Sequence, residues 1–337
     1  MNCFKITTMS IATLLCSFLL TPTTTHTLTL NKIASTECSK SFIDGSFSAL
    51  FLKPATIHFE HAQAITQQSP DCQPFSLNPH FDVGFDTGLT VFLHKRNLIV
   101  NLNWTGFHTL KSKCKQAPAA EISQSADISR SLELPYAKMT GKGYFAFDCV
   151  NLNFGRVVSF RDFLLANLFV GINYSRIHQN LISTSSFSNH DDTVERIAQI
   201  TAMPIKFQGA GPQGGIEFCF SLGRGFQLTG LASLALLIGD TKGEIKNLSS
   251  LTHLNIEEIC LRAKQQIVPL FKERIGFAYY RTFCECYVGM LEIGFEAMTY
   301  LNALRVVSDN ESVAPALERK GNNFSLFGPY ISFGLLF

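Results

Sequence analysis

Phe324-Ser-Leu-Phe-Gly-Pro-Tyr-Ile-Ser-Phe-Gly-Leu-Leu-Phe337 is the last stretch of the chain, and its reading decides the fold. Ile331, Phe333, Leu335 and Phe337 fall on one face. Tyr330, Ser332 and Gly334 fall on the other, with Leu336 an apolar exception. A period of two belongs to a strand, not a helix. In water a bare apolar strand is an aggregation-prone edge. Closing the sheet into a barrel removes that edge, and surrounding lipid makes the apolar face favourable. The stretch therefore predicts an export signal, repeated amphipathic strands, and connections of two very different lengths.

The amino terminus fits the first expectation. Lys5 supplies a positive start, Met9 to Leu20 an apolar segment, and Thr21 to Thr27 a polar exit. This is the pattern of a signal peptide over residues 1–27, with cleavage between 25 and 34. The apolar segment is shorter than the roughly 20 residues of a spanning helix. Residues 41–337 are then expected to form a single barrel domain.

Composition agrees. Charged residues make up 16% of the chain and 30 residues are Phe, while mean hydropathy is +0.15. Soluble domains carry about a quarter charged residues. Beyond the amino terminus no uninterrupted apolar run reaches the ~18 residues of a spanning helix. A net charge of +2 gives no reason to expect nucleic acid. Eight of the ten cysteines follow the signal, in a compartment that permits disulfides.

Alternation predicts ten strands. They run near Phe42–Leu52, Phe81–Leu93, Leu98–Thr105, Lys142–Phe154, Phe163–Ile177, Ile205–Leu222, Phe226–Gly239, Pro269–Arg281, Cys286–Thr299 and Phe324–Phe337. Each is roughly long enough for a tilted crossing of about 9–11 residues. Short connections (His94–Asn97, Gly155–Asp162, Leu222–Gly225, Thr282–Glu285) alternate with long polar ones (His61–Pro79, Leu110–Ala137, Gln179–Met203, Asp240–Val268, Leu301–Asn323). Outer-membrane barrels sort their loops this way, with short periplasmic turns and long external loops. An even strand count puts both termini at the periplasmic end. The expectation is an all-β transmembrane antiparallel barrel of ten strands in the bacterial outer membrane. Twelve is the alternative, if a loop such as Leu110–Ala137 hides a hairpin.

With the more apolar face turned to lipid, Asp44, Asp82, Asp86, Asn101, Asn103, Glu217, Lys272, Arg274, Glu292 and Glu296 become candidate lumen-lining residues, together with Asn151 and Asn153. Charge rings of this kind select ions in a water-filled pore. They also suit pairing inside a filled barrel, and ten strands lie near the filled end of the size range. The sequence leaves both open. Cys284 and Cys286 are candidate disulfide cysteines without identified partners, because positions i and i+2 of one strand do not suit a mutual bridge. No Cys-x-x-Cys pair suggests a metal, and no Gly-x-Ser-x-Gly or fixed Ser/His/Asp spacing suggests catalysis. Neither a cofactor nor an enzymatic role is expected.

Four stretches carry a resemblance: Phe81-Asp-Val-Gly-Phe85 leading into Asn103-Trp-Thr-Gly-Phe-His-Thr109; Val150-Asn-Leu-Asn-Phe-Gly-Arg156 with Leu168-Phe-Val-Gly-Ile172; Gly209-Ala-Gly-Pro-Gln-Gly-Gly-Ile216 with Leu222-Gly-Arg-Gly-Phe-Gln-Leu228; and the terminal strand. In order and spacing they resemble the Legionella-type major outer membrane proteins, a pore-forming family with chlamydia-related members. This chain is richer in Cys and has a single Trp. The resemblance implies a porin role, with passive passage of ions or small solutes through a narrow lumen. It also implies partners: membrane lipid, an assembly machinery that reads Phe337, and other envelope chains joined through disulfides. The alternative is a structural or adhesive envelope barrel without conductance.

Overall fold

The structure, a computed structural model, describes residues 42–56, 60–66, 69–76, 80–93, 98–117, 136–161, 163–188, 196–249, 255–284, 287–308 and 318–336. The expected signal peptide, Phe337 and Cys286 lie outside these residues. Twelve strands follow in order: β1 (Phe42–Thr56), β2 (Glu60–Thr66), β3 (Ser69–Ser76), β4 (Asp82–Leu93), β5 (Leu98–Ala117), β6 (Tyr136–Arg161), β7 (Leu164–Ser188), β8 (Arg196–Gly223), β9 (Phe226–Ser249), β10 (Asn255–Cys284), β11 (Tyr287–Ser308) and β12 (Glu318–Leu336). Ten of them close an antiparallel barrel, and β2 and β3 form a separate hairpin.

Closure is made by the terminal strand. β12 pairs with β11 on one side and with β1 on the other, from Asp44↔Leu336 to Thr56↔Phe324. Among the described residues the extra hairpin lies in the first long connection, between β1 and β4; residues 118–135, where a hairpin in Leu110–Ala137 was the alternative, lie outside them.

The strands are much longer than alternation alone indicated. β10 has 30 residues and β8 has 28. At about 3.3 Å per residue and a tilt near 45°, 30 residues rise about 70 Å, against an apolar band about 25 Å tall. Most of Gln179–Met203 and Asp240–Val268, expected as loops, is therefore wall that continues past the membrane. Its outward face is polar there, which hides the strand period from an apolar pattern.

Glycine and proline mark local breaks in the wall. The β1–β12 ladder is interrupted between Leu50↔Tyr330 and Lys53↔Phe327, where Gly328-Pro329 sits. The β8–β9 ladder is interrupted between Ala210↔Ile238 and Gln213↔Ala235, where Gly211-Pro212 sits. Proline cannot donate to the ladder. A Cβ on Gly328 would lie 1.9 Å from the Phe51 carbonyl oxygen, and one on Gly211 1.9 Å from that of Leu236. The Gly209–Gly215 run thus falls inside β8.

The outward face is apolar over its lower part. Leu89, Val150, Leu168, Val170, Ile172, Leu234, Leu236, Ile238, Ile275, Ile293 and Phe333 are exposed, the arrangement of a lipid-facing band. Aromatic rings cluster beside the short turns: Phe163 meets Phe220 at 5.2 Å and Phe226 meets Tyr279 at 4.9 Å. Rings of this kind sit well at the headgroup level. Trp104 is 46% exposed on the outer wall, edge-on to Phe85 at 4.9 Å.

Candidate functional site in the barrel lumen

The inward face divides into two halves. Nearest the short turns, strand after strand turns a polar residue inward. β1 supplies Asp44, Ser46 and Ser48; β4 supplies Asp86; β5 supplies Asn101 and Asn103; β6 supplies Asn151 and Asn153; β10 supplies Lys272 and Arg274. They line a cavity of about 300 Å³ together with Asn167, Asn173, Gln213, Glu217, Thr229, Tyr280, Glu292 and Ser332.

Strand register builds the polar wall. Asn103 lies opposite Asn151, and Asn151 opposite Asn173. Asn173 donates to Asn151, which donates to Asn103 at 3.4 Å, and Asn103 donates to Asp86 Oδ1. Thr105 adds a bond to Asp86 Oδ2 at 3.0 Å. The result is an amide ladder across four strands that ends on a carboxylate.

The opposite wall carries the ions. Lys272 Nζ lies 3.3 Å from Glu296 and 3.9 Å from Asp86. Arg274 lies 3.4 Å from Glu292 and 3.8 Å from Glu296, with its guanidinium 3.8 Å above the Tyr330 ring. Tyr330 and Thr229 both donate to Glu292 Oε1, Thr229 at 2.7 Å. Between Lys272 on β10 and Asp86 on β4 stand three strands of the barrel, so this contact crosses the lumen. Glu217 accepts from Asn167 at 2.9 Å and makes no ion pair among the described residues.

Above this half the inward face becomes apolar. Leu50, Leu52, Phe107, Phe145, Phe147, Ile177, Leu181, Ile205, Phe207, Leu237, Val268, Leu270, Tyr300, Leu304, Phe324 and Leu326 belong to one buried cluster. Nine of the ten barrel strands contribute to it; β4 contributes the buried Gly84, where a Cβ would meet the Gly106 carbonyl oxygen at 2.8 Å. Phe147 and Tyr300 touch across the full diameter, ring centroids 5.7 Å apart, and Phe147 reaches Phe324 at 6.3 Å. Most of these side chains have no exposed surface. The cluster forms an apolar septum across the lumen.

Of the ten candidate lumen residues, Asp44, Asp86, Asn101, Asn103, Glu217, Lys272, Arg274 and Glu292 line the cavity. Glu296 sits at the boundary with the septum and is wholly buried. Asp82 is set apart at the long-connection end of β4, where it accepts from Thr109 at 2.6 Å. Sequence reasoning missed the septum, Tyr330, Asn173, Gln213 and Thr229. A signal for the septum exists: along β6 the apolar residues change parity, from Phe145 and Phe147 inward to Val150, Leu152 and Phe154 outward. The same switch separates Phe324 and Leu326 from Ile331 and Phe333 on β12. Cys149 and Cys219 are free and buried, and Cys260 is free and exposed. Among the described residues no group of His, Cys, Asp and Glu is arranged to hold a metal ion.

An antiparallel ten-stranded barrel with an apolar outer band and a polar inner cavity defines an outer-membrane β-barrel protein. Residues 35–337 match the family of the Legionella pneumophila major outer membrane protein precursor, and the chain belongs to that family. No curated protein matches it by sequence. Among solved structures it is similar to the Escherichia coli outer membrane protease OmpT, with 11% identity, 90% of this chain and 99% of that chain covered, and a TM-score of 0.46. It is also similar to a Pseudomonas aeruginosa FadL homologue (6% identity, 89% and 90% covered, TM-score 0.26) and to the Pseudomonas putida toluene transporter TodX (9% identity, 87% and 88% covered, TM-score 0.23).

Proposed function

We propose that this barrel is a porin-like protein that gives ions or small solutes passive passage through its charge-lined lumen, with the aromatic septum as the gate. The observation behind this reading is the 300 Å³ cavity, which holds four carboxylates (Asp44, Asp86, Glu217, Glu292) against two cations (Lys272, Arg274) among the described residues. A barrel whose interior served only to fill itself would be packed at both ends. An excess of carboxylates favours cations in the vestibule. No catalytic step is assigned to these groups.

The septum favours a second reading, a structural envelope barrel that stays closed. Purified protein in planar bilayers separates the two. Passage predicts rare, small steps for the natural chain and frequent, larger steps for Phe147→Ala/Tyr300→Ala, because the double change removes both rings of the cross-lumen contact. A refolded, heat-modifiable double variant without any conductance steps would leave the structural reading.

The same proposal treats residues 1–27 as an export signal and Phe337 as the residue read by the assembly machinery. Cys284 and Cys286 are then available to join this chain to itself or to other envelope proteins. Non-reducing electrophoresis of whole envelopes would show ladders that collapse in the Cys284→Ser/Cys286→Ser chain.

A further inference from the structure

On the outer wall, above the apolar band, three strands set like charges side by side, with a histidine on a fourth. His178 on β7 faces Lys206 on β8, Lys206 faces Lys242 on β9, and Lys242 faces Arg262 on β10. Antiparallel partners share a face, and the inward neighbours Ile177, Phe207 and Thr241 are buried, so this row points away from the lumen. Lys206, Lys242 and Arg262 are exposed, and His178 is half-buried, edge-on to Tyr144 at 5.5 Å.

Like charges directly opposite one another destabilise a sheet. The neighbouring acids hold other partners. Glu244 pairs with Lys246 at 3.2 Å, and Asp240 accepts from the Gln265 backbone N–H at 3.0 Å. One row nearer the membrane, Asp148 faces Arg176. Partial burial, then Lys206 and Arg176, lower the pKa of His178, which stands above the band. An arrangement this unfavourable in water becomes favourable when an anion lies on it.

Height identifies the anion. On β9 the apolar wall ends at the exposed Ile238, and Lys242 is four residues further on. Four residues at about 3.3 Å on a strand tilted near 40° rise about 10 Å. The headgroup layer extends roughly 5–8 Å beyond the hydrocarbon, and long basic side chains bend back toward it. We propose that His178, Lys206, Lys242 and Arg262 bind the phosphorylated headgroup of an outer-leaflet glycolipid. Arg262 offers a planar fork to phosphate, and the lysines act as point charges. The acyl chains lie against the band below, near Tyr174 and Ile238. A free anion would gain the charge contacts alone, which salt screens. The site rests on the reading that the long-connection end faces outward.

The test uses the full chain in detergent micelles with three probes: a bisphosphorylated acylated glucosamine disaccharide, its dephosphorylated form, and inorganic pyrophosphate. Native mass spectrometry counts retained lipid, and thermal shifts give affinity. The natural chain should hold the bisphosphorylated lipid about tenfold or more tighter than does Lys206→Ser/Lys242→Ser, since each surface cation near an anionic leaflet contributes about 1 kcal/mol. Dephosphorylated lipid should show the same loss. Arg156→Ser/Arg224→Ser, near the short turns, should bind like the natural chain. Unchanged retention by the Lys206/Lys242 variant overturns the site. Equal displacement by pyrophosphate overturns the lipid assignment in favour of a free-anion site. A loss confined to the Arg156/Arg224 variant overturns the outward orientation instead. Heat-modifiable migration of both variants confirms that they fold.

Discussion

The two halves of the lumen are built from the same ten strands and solve different problems. Near the short turns, inward side chains are mostly polar and line a cavity; further toward the long connections, large apolar side chains from nine strands form one buried cluster. The lower half is held by partners: Asp86, Glu217, Lys272, Arg274, Glu292 and Glu296 each have a counter-ion or a donor. The upper half is held by volume, because Phe147, Tyr300 and Phe324 meet across the barrel. Losing a partner below should strand a charge, whereas losing a ring above should open a hole.

The largest effect is expected from Lys272→Met. Its side chain is 12% exposed and holds Glu296, whose side chain is 0% exposed. Methionine keeps the volume but leaves Glu296 to Arg274 alone, 3.8 Å away. Removing one partner of a buried pair costs about 3–5 kcal/mol. The loss should appear as a lower midpoint in urea unfolding from liposomes, and Lys272→Met/Glu296→Met should recover much of it. A single variant as stable as the natural chain would show that the lower half is not organised by its charges.

Phe147→Ala tests the upper half in the complementary way. Truncating a buried Phe costs about 3–5 kcal/mol. No charge is stranded, so no second substitution at a charged position should rescue it. Loss of stability without any gain in conductance would separate the septum's packing from a gating role.

Tyr330→Phe is a smaller cut in the lower half. The ring that lies under Arg274 stays, and one donor to Glu292 is lost while Thr229 remains. A hydrogen bond to a charged group contributes about 1.5–3 kcal/mol. The unfolding midpoint should fall by less than for Lys272→Met, with the barrel's oligomeric and heat-modifiable behaviour unchanged.

The barrel was legible because its lower band obeys one rule, apolar outward and polar inward, over residues such as Val83–Val91 and Ile331–Leu335. The strand count and the sorting of connections followed from it. Much of the upper wall was not legible, because outward-facing Lys242 and Arg262 remove the apolar signal while their neighbours remain in strand. The septum was hidden by the same rule. Phe145, Phe147 and Phe324 are apolar, and reading every apolar face as lipid-facing puts them outside. The lumen candidates were found by parity, since Asp86, Lys272, Arg274 and Glu292 share the inward face of their strands. Their pairing was not, because Lys272 and Asp86 are 186 positions apart in sequence and meet only through closure. Asp82 shows the limit of parity: it points inward but stands at the wrong height.

The boundary between the halves is where the smallest and most informative effect is expected. Tyr300 belongs to both. Its ring completes the septum against Phe147 and Phe324, and its hydroxyl lies 3.0 Å from Ser175 Oγ. Ser175 in turn donates to Asn173 at 2.7 Å, the end of the amide ladder. Tyr300→Phe keeps the ring and removes only this stitch, which should cost about 0.5–1.5 kcal/mol. Because packing is unchanged, the septum should stay closed and bilayer recordings should match those of the natural chain. Ser175→Ala should lose more, since it also removes the bond to Asn173, and the double variant should lose little more than Ser175→Ala alone, since the bond to Tyr300 is then already gone. Additive losses would mean that the halves are not joined at this point, and that ladder and septum are stabilised independently.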